Sequence, residues 1–342
     1  MRRIGKPSMR RFFEIAAQLA HDTDFVNFQN GVVRAAYDAL SQAYASAENE
    51  VSIITRLVTA INEKSYGRLI HIAANKIHGP RSYVEFNFRD KPTTRELGDM
   101  VAISIVTAGK RRLVERVCII QNKKAKNQNW GIDAEQLFLL KNFPPFTGNR
   151  GIFRGMDDVV FRNSTGCLGA FGLLSEPGEM IFASAPLLAE FLAQSSTLEP
   201  ADVSFPSVLQ QGGLQSSFAS GPVPFPGLDP DEYYFILRDV MRRIGPVPWP
   251  GVGLGIPFLG NLHFARDLYD FIRGWTQINI GEFTCWRGAT ANPEVDSFAT
   301  RLIRTANLGR AIDFPVDERS VEMSFEGDIA VLLLHMDIGS ED

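Results

Sequence analysis

Between Asp99 and Lys124 the chain carries two aliphatic runs, Met100–Val106 and Leu113–Ile120, separated by the basic segment Thr107–Arg112. Gly109 lies within that segment and can supply the positive φ of a short loop, so the stretch predicts two β-strands joined by a tight hairpin. A hairpin folds the start of its first strand against the end of its second. Asp99 is thereby expected opposite the neighbourhood of Gln121–Lys123. Side chains alternate faces along a strand, so Gln121 and Lys123 should share a face while Asn122 points away. A carboxylate, an amide and an ammonium then converge at one end of an otherwise apolar ribbon, which is costly unless something uses them.

The chain has 342 residues, 45% hydrophobic and 22% charged, and a formal net charge of −4. These values describe an ordinary globular protein with room for two domains, and any surface for nucleic acid must be local. Cys118, Cys167 and Cys285 are odd in number and far apart, which fits neither a disulfide framework nor a zinc cluster and predicts a reducing cytoplasm. No run reaches the roughly 18 apolar residues of a membrane span, so no membrane partner is expected. The basic N-terminus is interrupted by Glu14, and it predicts a solvated leader rather than a signal peptide.

Helical periodicity is expected over 11–20, 32–45 and, most clearly, 46–61, where Ser46 is the predicted N-cap and Val51, Ile54, Leu57, Val58 and Ile61 the buried stripe. A further helix is expected over 66–77, a strand over 83–88, a loop over 89–96 and a helix over 133–142. Beyond, short strands are expected at 158–162 and 179–183, helices at 186–194, 232–244, 264–275 and 295–306, and a closing strand within 321–336. Gly- and Pro-rich loops are expected at 205–230 and 245–260. The glycines at 251–255 lack a strand-then-helix context and do not read as a phosphate loop. The five histidines show no metal-ligand spacing. Trp130, Trp249, Trp275 and Trp286 read as core or interface residues, with base stacking as the functional alternative.

A carboxylate with a second oxygen ligand is a minimal seat for Mg²⁺, which keeps several waters and takes further ligands from phosphate. A neighbouring lysine can position or deprotonate water and offset charge developing on phosphorus. Asp99, Gln121 and Lys123 therefore point to phosphodiester hydrolysis. The order Glu96-Leu97-Gly98-Asp99, then Ile119-Ile120-Gln121-Asn122-Lys123, with an acid-starting helix before and a helix after, resembles the PD-(D/E)xK nuclease superfamily in its QxK form. The resemblance covers about Ser46 to Phe146. It implies an α/β class with a restriction-endonuclease-like mixed sheet flanked by helices. Asp99 would bind Mg²⁺ or Mn²⁺, Gln121 would present its carbonyl oxygen to metal or water, and Lys123 would activate the water. Glu50 or Glu48 would supply the acid of the first helix, Glu50 being preferred. Gln121 stands where the family commonly has an acid, and Gly98 where it has proline; Glu50 or Glu96 must make up the missing carboxylate.

The resulting expectation is a helical leader over 1–45, a nuclease core over 46–150 and a mixed α+β domain over 151–342 for recognition, regulation or homo-oligomerisation. The expected activity is that of a Mg²⁺-dependent endodeoxyribonuclease acting on DNA, with restriction or anti-phage defence as its setting by analogy. Lys124 and Lys126 are expected to touch the phosphate backbone; Lys110, Arg111 and Arg112 at the turn read as solvated tip residues. Gln136 is a candidate to face the site. The alternatives are a non-catalytic nucleic-acid-binding member of the same fold, or an assembly protein.

Overall fold

The Asp99–Lys124 stretch folds as the expected hairpin, β5 (Met100–Ala108) and β6 (Arg111–Lys124), with Gly109 at φ +57° in the two-residue turn. The computed structural model describes residues 6–125, 129–194, 202–206, 258–309 and 328–339. Three helices precede the hairpin: α1 (Lys6–Leu19), α2 (Thr23–Ala45) and α3 (Glu50–Ile61). They are followed by strands β1 (Lys64–Tyr66), β2 (Ile70–Ile77), β3 (Tyr83–Phe88) and β4 (Lys91–Glu96). After the hairpin come β7 (Asn129–Asp133), α4 (Ala134–Asn142), β8 (Phe146–Gly148), β9 (Gly169–Ser175) and β10 (Glu179–Ser184). Next are α5 (Ala185–Gln194), β11 (Asp202–Pro206), β12 (Phe264–Ala265) and α6 (Leu268–Thr276). The described elements end with β13 (Glu282–Trp286), β14 (Ala289–Thr290), α7 (Pro293–Thr305) and β15 (Ile329–Asp337).

The main sheet is mixed, in the order β1-β2-β15-β5-β6-β9-β10-β12, with β13 also pairing to β6. β15, close to the C-terminus, is inserted between β2 and β5, antiparallel to the first and parallel to the second. β9 lies parallel to β6, as a strand reached through the α4 crossover must. The chain is therefore α/β, and its sheet draws strands from both sides of residue 150. Helices cover both faces. Val101, Ile103, Val331 and Leu333 pack with α4, α5 and α7, while Met100, Ala102, Leu332 and Leu334 pack with α1, α2, α3 and α6.

Burial on both faces explains the main departures from the expected elements. Residues 66–77 form strands rather than a helix. In β2, Ile70, Ile72 and Ala74 face one core and Ala73 and Ile77 the other, so apolar residues run together and obscure the strand period. Residues 89–96 are not a loop. Arg89 and Asp90 both take positive φ in a tight turn, and Pro92 sits on β4, an edge strand where its missing N–H does no harm. The N-cap of α3 lies three residues later than expected, because Asn49 Oδ1 rather than Ser46 accepts from Ser52 N (2.9 Å). Val51 is consequently exposed, and Ile53 joins the core. Residues 158–162 hold only a single bridge, Phe146 to Val159, and residues 264–275 divide into β12 and α6, capped by Asp267. The expected helix at 232–244 and most of the Gly/Pro-rich loops lie outside the described residues.

Close packing sets α4 against β9, the strand beside the hairpin. A Cβ on Gly169, at the start of β9, would lie 2.2 Å from the Leu140 carbonyl oxygen on α4. Gly169→Ala is expected to destabilise the fold by about 1–3 kcal/mol, since backbone rather than a side chain must move. A lowered urea midpoint checks this; an unchanged midpoint would show that the helix can shift freely.

Candidate functional site

At the open end of the hairpin, Met100 faces Ile120 and Asp99 N donates to Ile120 O (3.2 Å), so Asp99 lies beside Gln121 as the register predicts. Gly98 leaves no room for a side chain: a Cβ there would lie 2.7 Å from Ile119 Cγ2. The Asp99 carboxylate is held by three donors. Gln121 Nε2 donates to Oδ2 (2.7 Å), and Asn122 donates to Oδ1 through its backbone N (2.9 Å) and Nδ2 (2.7 Å). Asn122 was expected to point away. Asp99 stands at the strand's end, where both faces of β6 remain within its reach. Gln121 in turn accepts at Oε1 from Gln136 Nε2 (2.5 Å), which also donates to Glu96 O (3.1 Å). Turning the Gln121 amide over would set its oxygen against the carboxylate and its NH₂ against that of Gln136. The expected role of Gln121, a carbonyl oxygen offered to a metal or water, therefore does not match its placement; its amide links α4 to Asp99.

The N-terminus of α3 closes the other side. Glu50, its first residue, accepts from Lys124 N at Oε2 (3.2 Å), whereas Glu48 precedes the helix and pairs with Arg56. Of these two acids, Glu50 lines the cleft between the hairpin end and α3, and Glu48 is not among its lining residues. Lys124 is taken up by the fold: its Nζ donates to Glu48 O (2.7 Å) and lies 5.0 Å from the Tyr44 ring centroid. Lys126 lies outside the described residues.

Between these walls is an open cleft of about 350 Å³, lined by Glu50, Glu96, Asp99, Gln121 and Lys123, with Lys76, Arg81 and Asp328 among the other lining residues. Asp328 reaches the cleft because it immediately precedes β15, which no local pattern around residue 99 announces. It ion-pairs with Lys76 (2.9 Å), whose Nζ also donates to Thr55 Oγ1 (3.2 Å), and Arg81 hydrogen-bonds Tyr83. Lys123, by contrast, has no hydrogen-bond or ion-pair partner among the described residues, although its charge acts on Glu96.

Two of these carboxylates, Asp99 and Glu96, resist ionisation. Burial pushes Asp99 well above the ordinary aspartate range, the Glu50 charge adds to this, and the Asn122 N–H opposes it. Burial likewise pushes Glu96 up to about 7; Arg81 and Lys123 oppose the shift, while Asp328 and Glu50 add to it. A native pKa above the unfolded value means that the folded state binds the extra proton, so stability falls as pH rises from about 4.5 to about 7 and stays reduced above. Glu96→Gln is thus expected to stabilise the protein by on the order of 1–3 kcal/mol at pH 8 and to have little effect at pH 4. Urea unfolding at the two pH values tests it, and equal effects at both would exclude the shift.

Among the described residues, no group of three or more His, Cys, Asp or Glu side chains is placed to hold a metal ion. The donor set is nevertheless hard oxygen, and Mg²⁺ typically takes only one or two carboxylates, the remainder being water and phosphate. Asp99 with Glu50 or Glu96 fits that modest requirement. No described helix is long and apolar enough to cross a membrane. No family model, no curated protein and no solved structure matches this chain.

Proposed function

We propose that the cleft at the end of the β5–β6 hairpin is a metal-dependent phosphodiester-hydrolysing centre and that the protein is a nuclease acting on DNA. One observation carries this: Lys123, a cleft cation whose side chain has no hydrogen-bond or ion-pair partner among the described residues, faces a group of carboxylates whose mutual repulsion a divalent cation would relieve. The path from α3 through the hairpin and α4 to a β9 parallel with β6 supports a restriction-endonuclease-like core, with β15 as an insertion between β2 and β5. DNA as substrate, and restriction or defence as setting, come from the resemblance.

Asp99 and Glu50 or Glu96 would hold Mg²⁺ or Mn²⁺, which supplies Lewis acidity toward a phosphoryl oxygen. Lys123 holds the attacking water and offsets charge that grows on phosphorus. Gln121 is a positioning residue. Held by Gln136, it fixes one Asp99 oxygen while Asn122 fixes the other. Asp328 keeps Lys76 engaged and adds negative potential at the cleft, filling in part the place of the absent second carboxylate.

Supercoiled plasmid incubated with Mg²⁺, with Mn²⁺ and with EDTA tests the proposal: nicking or linearisation with metal and none with chelator is expected. Intact plasmid under every condition overturns it. A second reading, nucleic-acid binding without cleavage, is favoured by the three hydrogen bonds already on the Asp99 carboxylate. It predicts a mobility shift of DNA without metal-dependent cutting.

A further inference from the structure

Val51 is among the few large hydrophobic side chains that the described residues leave exposed, at 40%. The face that α3 buries carries Ile53, Ile54, Leu57, Val58 and Ile61, which turns Val51 outward. A lone exposed valine is ordinary; this one is informative for its place. It lines the hairpin cleft beside Glu50, and Ile54, three residues further along the same helix, lines the cleft too. Helix α3 therefore gives the cleft an aliphatic wall next to its acids.

Hydrolytic groups at the hairpin end make no use of that wall. A hydrated cation and a phosphate group are polar and gain nothing from contact with an aliphatic side chain. The space is also more than a phosphate fills: about 350 Å³ lies at the small end of ligand sites and is roughly the size of one nucleotide. A nucleotide inside a duplex keeps its base stacked and paired, so the base reaches a protein wall only by leaving the stack. Charge points the same way. Among the described lining residues four carboxylates stand against three cations, in a chain of net charge −4. A duplex carries one charge per about 1.7 Å of its axis, twice the density of one of its strands, and long contact with it calls for a broad basic surface.

We propose that the cleft takes one unpaired nucleotide, its phosphate toward Lys123 and its sugar and base against Val51, so that the substrate is single-stranded DNA or a locally unpaired stretch of a duplex. The inference rests on the reading of this cleft as the nucleic-acid site. Apolar contact then supplies part of the affinity, and few phosphates need be neutralised. Arg81, exposed among the lining residues, suits the next phosphate of the same strand. Negative supercoiling favours local unpairing, so a supercoiled plasmid carries such a substrate where a relaxed closed circle does not.

Fluorescence anisotropy of a labelled oligodeoxythymidylate and of a fully paired duplex of the same length tests binding to the full chain in Ca²⁺, a hard cation with looser geometric demands than Mg²⁺. The single strand should bind at least about tenfold more tightly. Val51→Thr, which keeps the shape and adds a hydroxyl, should weaken its binding about fivefold, and Val51→Ile should not. Val160→Thr, at an exposed valine (54%) outside the cleft, should leave binding unchanged. In Mg²⁺, supercoiled plasmid should be nicked at least about tenfold faster than relaxed closed circles. Equal or tighter binding of the duplex, a Val51→Thr effect no larger than that of Val160→Thr, or equal cutting of the two plasmid forms would overturn the inference and leave the nuclease reading standing. A single-strand preference without cleavage in Mg²⁺ or Mn²⁺ would support the inference and overturn the nuclease reading, and no binding of either DNA would overturn both.

Discussion

If the cleft is the proposed nuclease centre, replacing Lys123 by alanine should lower the rate of metal-dependent DNA cleavage by about 10²–10⁴-fold, the range expected when a positioned proton-transfer or charge-offsetting group is lost. Lys123 is the informative residue because the fold does not require it. It has no hydrogen-bond or ion-pair partner among the described residues, unlike Lys76, which is tied to Asp328 and Thr55, and Lys124, which is tied to Glu48 and Tyr44. Its loss should therefore leave the urea midpoint near the wild-type value while removing activity. Asp99→Asn should also remove cleavage, but with altered stability, because Asn122 and Gln121 all donate toward that carboxylate. Lys110→Ala, at the exposed far tip of the hairpin, serves as a control for general attraction to phosphate. Cleavage that persists in both Lys123→Ala and Asp99→Asn would falsify the site assignment.

Arg116→Met is expected to produce the largest loss of stability, about 3–5 kcal/mol. Arg116 is fully buried on β6. Its Nε donates to Gly281 O (2.8 Å), its Nη1 to Ile278 O (2.8 Å) and Gly260 O (2.5 Å), and its Nη2 to Asn261 Oδ1. The guanidinium also lies 4.2 Å from the Phe283 ring centroid. Burial depresses its pKa to about 10, against the partial compensation of neighbouring acidic groups. The residue thus clamps the 260–281 segment, with its carbonyl groups, onto the middle of the sheet. Methionine preserves much of the volume but removes the donor from two buried carbonyls, Gly281 O and Ile278 O, and from the partly buried Gly260 O, and each buried one costs a desolvation penalty. Lysine is also expected to destabilise, since one ammonium cannot span the same set of acceptors. Chemical denaturation measures the effect, and a change below about 0.5 kcal/mol would mean that water replaces the guanidinium.

Local regularities were legible where one rule dominated. The hairpin could be read because its turn glycine and aliphatic runs agree, and its register then placed Asp99 beside Gln121. Helix α4 could be read from Asp133, which caps it through Gln136 N (2.8 Å), although the role of Gln136 in orienting Gln121 depends on where that helix packs. Strand β2 was not legible, since both its faces are buried and periodicity vanishes. β9 and β13 were not legible either: every residue of β9 is buried, so no alternation marks it, β13 is short, and both are strands because β6 offers them an edge.

The sequence by itself determined the hairpin, the polar triplet at its end and the helices on either side, because turn chemistry, strand alternation and capping act over a few residues. Tertiary structure alone decided that Asp328 joins the cleft, that β15 divides β2 from β5, that Lys124 is spent on Glu48 and Tyr44, and that Gln121 turns its oxygen to Gln136. Each of these depends on contacts between residues distant in the chain. Their geometry follows from how the two buried faces of one sheet are covered, which no local pattern encodes.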